Sequence, residues 1–497
     1  MKIRNIFFIF LILLSIAGCK KDFLQIDPQG ELTQASFPVS PSDALQATNA
    51  VYAAVRNWYY NSGGYPILDI MSDDAYKGSN TNDQLATVGA YDNFTFTSTG
   101  DGLDRWWATL YQGIRWANVV IEKVPDISMD TTLRNRYVGE AKFLRALFYF
   151  DLVRAWGGVP KVTTSNPPLH LQRASTDEIY SLIISDLLYA EAHLTRKSDL
   201  PAADLGRATI GAADALLARV YLFRKDFVNA EKYSMKVIQS NEYSLEPRFI
   251  DANGVNGNNG VESIFEVGAL GVEDYNGGGA QYANTQGVRG VPNRGWGFNR
   301  PSIDLRKSFE PGDPRLKGTI IDLGDTIDGI YIQGDPSPAN DPVITTDQNG
   351  DTINIQCYNR KVWTPGDDTP SQWGCHRRLI RYADVLLMAA EALNENGKPA
   401  EALTYLNQVR KRAREGNNSI LPDVTVTDQN LLREKIYLER RHELALEGER
   451  FWDLVRTGRA AAVLGPLGFV AGKNELMPIH QSEIDISQGS LTQNPNY

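Results

Sequence analysis

Residues 213–237 (ADALLARVYLFRKDFVNAEKYSMKV) and 385–409 (VLLMAAEALNENGKPAEALTYLNQV) share one pattern of apolar and small positions, 172 residues apart. Ala218 and Ala230 of the first stretch are matched by Ala390 and Ala402 of the second. Alanines twelve residues apart, one on each helix, allow two antiparallel helices to approach closely across a short turn. The pattern is similar to the tetratricopeptide unit, although it lacks that repeat's full signature.

Helical periodicity extends over much of the chain on both sides of these two stretches. Units of this kind bury their apolar faces only by stacking on neighbours, so several of them are expected. The sequence therefore predicts a mainly α fold, with about four tetratricopeptide-like helix pairs and a closing helix. The predicted helices span residues 43–58, 105–124, 134–156, 174–195, 207–223, 227–240, 378–396, 399–415 and 429–458.

Two regions interrupt the helical pattern. Residues 241–375 contain 20 of the 42 glycines and ten of the 24 prolines, which argues against a long helix there. Short apolar runs at 264–267 and 319–321 predict β-strands, and residues 59–103 have a similar texture. Loops of this size in a compact protein are usually functional, so both insertions are predicted to carry the binding surface.

The chain is accordingly divided into a series of predicted regions. They are a signal peptide (1–18), a linker (19–41), an N-terminal helical region (42–240) that contains insertion 59–103, a ligand-binding insertion (241–375) and a C-terminal helical region (376–497).

The N-terminus has the features of an export signal. Lys2 and Arg4 precede an unbroken apolar run at 6–14, which is too short to span a bilayer. Ala17 and Gly18 stand directly before Cys19, an arrangement that resembles the lipobox of bacterial lipoproteins. We expect Cys19 to be the lipid-attachment site of an exported protein. A plain secretory signal followed by a chance cysteine is the alternative.

The charge balance argues against one class of partner. The chain has 497 residues and carries 50 Lys and Arg against 60 Asp and Glu, a formal net charge of −10. It has no long run of basic residues, so nucleic-acid binding is not expected.

No pattern in the sequence indicates a catalytic centre, a metal site or a cofactor. The five histidines lack metal-ligand spacing. Glu443 and Glu447 lie four residues apart, but Arg440 and Arg450 continue the same helical stripe, which favours a salt-bridge ladder over an acid pair.

A cluster of oxygen-bearing side chains lies in the first insertion. Asp73, Asp74, Asn80, Asn82 and Asp83 fall within one short segment, but not at the spacing of an EF-hand loop. Two interpretations are open: a Ca²⁺ site and a set of turn-forming Asx residues. A lysine within the cluster favours the turns.

Aromatic residues in or beside the insertions are candidates for ligand contact. Rings flanked by amide and charged groups suit stacking on sugar or peptide faces, although packing under a loop is an equally good interpretation of any single ring. This group contains Trp58, Tyr59, Tyr60, Tyr65, Tyr76, Tyr275, Tyr282, Trp296, Tyr331, Trp363 and Trp373. The candidate ligand-binding residues are Tyr76 and Trp296 as platforms, with Asp73, Asp74 and Arg300 as hydrogen-bonding partners.

Two cysteines remain besides Cys19. In an exported protein Cys357 and Cys375 could form a disulfide, while two buried free thiols are the alternative.

Several stretches taken together resemble the SusD/RagB family of nutrient-uptake lipoproteins. They are residues 19–24 (CKKDFL), 140–152 (EAKFLRALFYFDL), 156–160 (WGGVP), 381–392 (RYADVLLMAAEA), 406–413 (LNQVRKRA), 439–456 (ERRHELALEGERFWDLVR), 477–480 (MPIH) and 493–497 (QNPNY). His480 and Asn496 stand where the family more often has proline and glycine. The resemblance covers nearly the whole chain.

The resemblance implies a tetratricopeptide-based fold, a lipid anchor at the outer face of the outer membrane and a TonB-dependent, SusC-like channel as partner. It implies capture of a glycan or oligosaccharide without catalysis. Because the family's ligand-contacting loops vary, no binding residue is transferred from it.

Two other functions are kept open. One is a surface glycosidase that uses Asp73 and Asp74, which would require two carboxylates across a cleft. The other is a protein–protein scaffold of the tetratricopeptide type, against which the long insertion argues.

Overall fold

The computed structural model describes residues 37–61, 69–80, 82–270, 281–335, 356–364 and 374–497, and the backbone of two strands at 344–346 and 352–354. The predicted signal peptide, Cys19 and the aromatic residues Tyr65, Tyr275 and Trp373 lie outside these residues.

Long helices form most of the described structure, and shorter ones lie in the insertions and near the C-terminus. They are α1 Pro41–Arg56, α2 Trp58–Asn61, α3 Val88–Asp92, α4 Leu103–Lys123, α5 Thr131–Trp156, α6 Thr176–His193, α7 Ile210–Phe223, α8 Phe227–Gln239, α9 Gln281–Gln286, α10 Ile303–Ser308, α11 Pro314–Thr319, α12 Tyr382–Glu395, α13 Pro399–Ala413, α14 Gln429–Leu444, α15 Arg450–Arg456, α16 Ala460–Leu464 and α17 Gln481–Ile486.

The strands are short and pair in antiparallel twos. They are β1 Ala75–Gly78, β2 Ser263–Val267, β3 Phe298–Pro301, β4 Ile320–Asp322, β5 Thr326–Ile327, β6 Ile330–Tyr331, β7 Ile344–Thr346, β8 Thr352–Asn354, β9 Cys357–Asn359 and β10 Arg377–Arg381. The pairs are β1 with β3, β2 with β10, β4 with β9, β5 with β6, and β7 with β8.

The long helices stack in chain order and then continue across the second insertion. Neighbours from α4 to α8 pack on one another, α1 packs on α4, and α12 packs on both α8 and α13. Ala218 in α7 and Ala390 in α12 are fully buried, as close helix packing requires. The predicted mainly α fold of stacked helix pairs is confirmed.

Local signals explain where several helices begin. Ser175 and Glu178 form a capping box at the start of α6, and Ser40 with Asp43 forms another at α1. No helix in the described part of the chain is both long enough and apolar enough to cross a bilayer.

Two of the predicted helices have different bounds in the structure. Residues 377–381 form β10, which pairs with β2, so α12 begins only at Tyr382. The predicted helix 429–458 is broken between α14 and α15, where Leu446 and Gly448 have φ values of 63° and 86°. Asp69 accepts hydrogen bonds from the backbone N–H groups of Gly448 and Arg450, which stabilise the break.

The predicted salt-bridge ladder of Arg440, Glu443, Glu447 and Arg450 is wrong, because these side chains do not pair with one another. Each forms ion pairs with residues of other elements. Glu443 and Glu447 both accept hydrogen bonds from Arg381 of β10. Arg440 pairs with Asp384 of α12, and Arg450 pairs with Asp73 of the first insertion. Burial opposes ionisation of Glu443, but the Arg412 and Arg381 guanidiniums outweigh it and hold the pKa of that carboxyl well below its usual range.

The disulfide alternative for Cys357 and Cys375 is also wrong, since both are free, buried thiols. The Cys357 sulfur lies 3.4 Å from the carbonyl oxygen of Pro301, whereas Cys375 precedes β10 in a different part of the fold. Burial raises the pKa of both thiols, so they behave as small apolar residues.

Candidate ligand-binding cavity

The two insertions meet at a small antiparallel sheet beside a cavity. β1 from the first insertion pairs with β3 from the second, with Tyr76 opposite Arg300 and Gly78 opposite Phe298. The adjoining cavity has a volume of about 250 Å³ and is lined mainly by apolar atoms. We call it the Trp296 cavity; its lining residues are Trp58, Asp83, Gln84, Val88, Thr285, Trp296 and Phe298.

Two half-buried tryptophans form one wall of the Trp296 cavity. The ring centroids of Trp58 and Trp296 are 5.3 Å apart, and the planes are tilted by 48°. The backbone N–H of Trp296 donates to the carbonyl oxygen of Asn284 at 2.8 Å. A side chain at Gly295 would lie 2.4 Å from that same oxygen, so glycine is needed for this close approach. The turn therefore holds the Trp296 ring at the cavity.

Lys77 holds the loop that carries Asp83, one of the residues that line the cavity. Its ammonium group donates to the carbonyl oxygens of Gly78, Asn80 and Asp83 at 2.9, 2.7 and 2.8 Å. The same group lies 5.6 Å from the centroid of the Phe298 ring, a cation–π contact. A buried cation thus connects the loop to the strand that carries Phe298.

The second half of the oxygen-rich cluster, residues 80–83, forms a turn, which agrees with the turn interpretation for these residues. The Asn80 side-chain oxygen accepts hydrogen bonds from the backbone N–H groups of Asn82 and Asp83 at 3.1 and 2.9 Å. This is the Asx-turn arrangement, and it orients Asp83 toward the cavity.

Asp83 provides charge at the cavity rim. Its carboxylate accepts a hydrogen bond from the Ser79 hydroxyl at 2.7 Å and lies 3.5 Å from the Arg289 guanidinium. The Asp83 and Arg289 side chains are about one third exposed, so their remaining hydrogen-bonding capacity faces solvent. The cavity therefore combines aromatic walls with a charged, hydrogen-bonding rim.

Of three predicted ligand-binding residues, Trp296, Tyr76 and Arg300, one lines the cavity and the other two do not. Trp296 lines the cavity, and its role as a ligand platform stays a prediction. Tyr76 is half-buried in β1, outside the cavity lining, and its hydroxyl accepts a hydrogen bond from the Ile303 N–H at 3.4 Å. Arg300 is 3% exposed and donates to the carbonyl oxygen of Ser79 at 3.1 Å, so it supports the loop from within.

Asp73 and Asp74 are not available to a ligand, contrary to the prediction. Both are buried. Asp73 binds the Arg450 guanidinium through two hydrogen bonds of 2.8 and 2.9 Å, and Asp74 accepts one from Arg441 at 2.6 Å. Because these buried carboxylates are paired with arginines of the same chain, their role is structural.

Sequence reasoning missed most of the cavity lining. Trp58 was among the loop aromatics, but nothing in the sequence distinguished it from the others. Asp83 was recognised only as a member of the Asx cluster. Val88, Thr285 and Phe298 carry no chemical signal of their own and reach the site from three separate elements, α3, α9 and β3.

One described group of side chains has the composition of a metal site. Ligand atoms of Glu310, Glu439 and His442 lie within 4.8 Å of one another. However, both carboxylates accept hydrogen bonds from Arg410, and Glu439 also pairs with Arg315. Burial and the nearby Arg315 charge lower the pKa of His442 to about 4. Two guanidiniums at the carboxylates oppose a cation, so we assign no metal here.

Two family models match the chain. The model described as "SusD family" matches residues 261–497, and the model described as "Starch-binding associating with outer membrane" matches residues 38–222. SusD-like proteins P2 and P38 of Formosa agariphila are 30% and 29% identical to the chain, over the full length of both partners.

Solved structures of similar proteins superpose over most of the chain. A "laminarin binding SusD-like protein" has a TM-score of 0.76 and 29% identity, and it covers 92% of this chain and 100% of its own. Surface glycan-binding protein A from Bacteroides thetaiotaomicron, in complex with laminarihexaose, has a TM-score of 0.76 and 25% identity at the same coverage.

Proposed function

Because the chain belongs to the SusD/RagB family, we propose that it is a cell-surface lipoprotein that binds glycans or oligosaccharides and delivers them to a transporter. The transporter is a TonB-dependent, SusC-like protein of the outer membrane. The lipid on Cys19 anchors the protein there, facing the exterior.

The observation that carries the glycan-binding proposal is the tilted Trp58–Trp296 pair on the cavity wall. The apolar face of a sugar ring stacks on an aromatic ring, while its hydroxyl groups need polar partners at the edge of the site. Asp83 and Gln84 provide such partners at this cavity. Similar proteins described as laminarin-binding and as bound to laminarihexaose support the same ligand class.

Binding without cleavage is the better account of this cavity. A glycosidase needs two carboxyl groups on either side of the scissile bond. Among the described residues that line the Trp296 cavity, Asp83 is the one carboxylate. Asp73 and Asp74, which the glycosidase alternative would use as its catalytic acids, form ion pairs with arginines.

Isothermal titration calorimetry with laminarihexaose and a panel of other hexasaccharides tests the proposal. Trp296→Ala should weaken binding by about 1–3 kcal/mol, a range extrapolated from base stacking on aromatic side chains. Its melting temperature should change little, because the ring is only half-buried. Tyr331→Ala is the matched control, since Tyr331 is 56% exposed, lies in the same insertion and is not part of the cavity lining.

Intact affinity in Trp296→Ala, accompanied by a large fall in melting temperature, would make Trp296 a packing residue and contradict the proposed site. Cleavage products from any hexasaccharide would support the glycosidase alternative instead.

The transporter proposal has its own test. Affinity purification of the tagged protein from native outer membranes should recover a TonB-dependent channel at near-equal stoichiometry. Recovery of the protein alone, under conditions that preserve other outer-membrane complexes, would count against delivery.

A further inference from the structure

A second cavity lies among the C-terminal helices and is rich in positive charge. Its volume is about 270 Å³. We call it the Arg459 cleft; it is lined by Glu434, Lys435, Tyr437, Leu438, Arg441, Arg450 and Arg459. It shares no lining residue with the Trp296 cavity.

Two of its arginines are held rigidly and still have donor groups left over. Arg441 uses Nε for Asp74 and Nη2 for Asp73, and Arg450 uses Nε and Nη2 for Asp73. The Nη1 group of each donates no hydrogen bond to the part of the chain that the structure describes. Ion pairs on one edge of each guanidinium therefore orient the other edge without occupying it.

Arg459 is the third guanidinium of the cleft and is the least neutralised. Its closest carboxylate, on the mostly exposed Glu434, is 3.8 Å away, beyond hydrogen-bond distance. The guanidinium stacks on Tyr437 at 4.2 Å from the ring centroid, and its Nε donates to the Thr457 hydroxyl at 3.1 Å. Burial and then the neighbouring Arg450 charge lower the pKa of Arg459, so like charges are crowded here.

The local charge is opposite in sign to that of the whole protein. Lys435, Arg441, Arg450 and Arg459 bring four positive charges to the cleft, against the carboxylates of Glu434, Asp73 and Asp74. Asp453 also acts on Arg450 and Arg459, but it is already paired with Arg440 and Arg456. These lining cations and the three carboxylates together give the cleft an excess of one positive charge, whereas the whole chain has a net charge of −10. An anion in the cleft would relieve the crowding of Arg450 and Arg459.

We propose that the Arg459 cleft binds a tetrahedral oxyanion, either free sulfate or phosphate or the same group carried as an ester on a sugar. Planar guanidiniums donate paired hydrogen bonds to oxyanions and are weakly hydrated, which suits them to this task better than lysine.

Isothermal titration calorimetry at constant ionic strength tests the proposal with sodium sulfate, sodium phosphate, glucose 6-sulfate and unsubstituted glucose, using chloride as the background salt. Wild type should bind the oxyanions but not glucose. Arg459→Gln should weaken oxyanion binding about tenfold, because it removes one charge-assisted contact. Lys435→Gln, at an exposed position on the rim, should have a smaller effect.

Arg115→Gln is the matched control, since it removes the same charge from an exposed position on α4, outside the cleft. Arg441 and Arg450 are left intact because they also hold Asp73 and Asp74. Tighter binding of glucose 6-sulfate than of free sulfate would identify the ester as the ligand form, whereas equal affinity would identify the free ion.

The proposal is overturned if no oxyanion binds wild type, or if Arg459→Gln binds it as tightly as Arg115→Gln does. The outcome is separate from the glycan-binding proposal, because laminarihexaose affinity should depend on Trp296 and be unchanged in Arg459→Gln.

Discussion

Asp214 in α7 is a buried carboxyl group with an unusual ionisation. Its Oδ1 atom is buried and has no hydrogen-bond partner among the described residues. Burial, and to a lesser degree the nearby Glu191 charge, raises the pKa of Asp214 to about 7. The folded state therefore holds this group protonated under conditions in which the unfolded chain ionises it.

We predict that Asp214→Asn is more stable than wild type at pH 8 and that this advantage disappears toward pH 4. An acid whose pKa is raised on folding binds more protons in the folded state, so the free energy of unfolding falls as pH rises from about 4 to about 7. Asparagine removes that dependence while keeping a similar shape. Urea unfolding at pH 4, 6 and 8 measures the difference. Exposed Asp126→Asn is the control, and an equal pH profile in all three proteins would contradict the prediction.

At the scale of elements, the break between α14 and α15 depends on a residue far away in sequence. The Asp69 carboxylate accepts hydrogen bonds from the backbone N–H groups of Gly448 and Arg450 at 2.8 and 3.2 Å. These bonds satisfy backbone donors at the start of α15. Gly448 has a φ of 86°, which a residue with a side chain rarely adopts.

Gly448→Ala should lower the free energy of unfolding by about 1–2 kcal/mol, because the alanine side chain is strained at positive φ. Gly465→Ala is the control: its φ is −51°, and an added methyl group would meet nothing within 4 Å. Denaturant titration of both variants measures the effect. If the two lose the same stability, the strain argument for Gly448 fails.

The close approach of α7 and α8 has its own test. Ala218 is fully buried in α7, which packs on α8. Ala218→Leu should destabilise the fold by about 1–3 kcal/mol through overpacking. Ala203→Leu, at an exposed position before α7, should be close to neutral in the same thermal or denaturant measurement. A neutral Ala218→Leu would show that the helices are not tightly packed at this point.

At the scale of the whole molecule, the second insertion interrupts the sequence but not the helix stack. α12 packs directly on α8, although residues 240–381 separate them in the chain. The stack therefore serves as a scaffold, and the inserted residues meet the first insertion at β1 and β3 to form the Trp296 cavity.

The membrane attachment of the whole protein is predicted to depend on Cys19, which lies outside the described residues. Cys19→Ala should fail to incorporate a labelled fatty acid and should move from the membrane to the soluble fraction after export. Ser15→Ala is a control within the same segment. Unchanged membrane retention and labelling of Cys19→Ala would rule out lipidation at this residue.

The sequence alone determined the helices, the stacked helix pairs and the family. Those features depend on periodicity, capping residues and small side chains within short stretches, as at 213–237 and 385–409, so they can be recognised locally. The sequence also marked Trp296 as a candidate platform, because the flanking Gly295 and Gly297 leave its ring little shielded by side chains; that role stays a prediction.

Only the tertiary structure decided which residues form the cavity and which charged side chains are already paired within the protein. Asp73 and Asp74 resemble free ligand-binding groups in sequence, but they pair with Arg441 and Arg450, which lie more than 360 positions away. Trp58 lies close to Trp296 because α2 packs on α9 and the Trp296 N–H is bonded to Asn284 of α9. Pairing across such separations depends on how distant elements pack, and local periodicity carries no information about it.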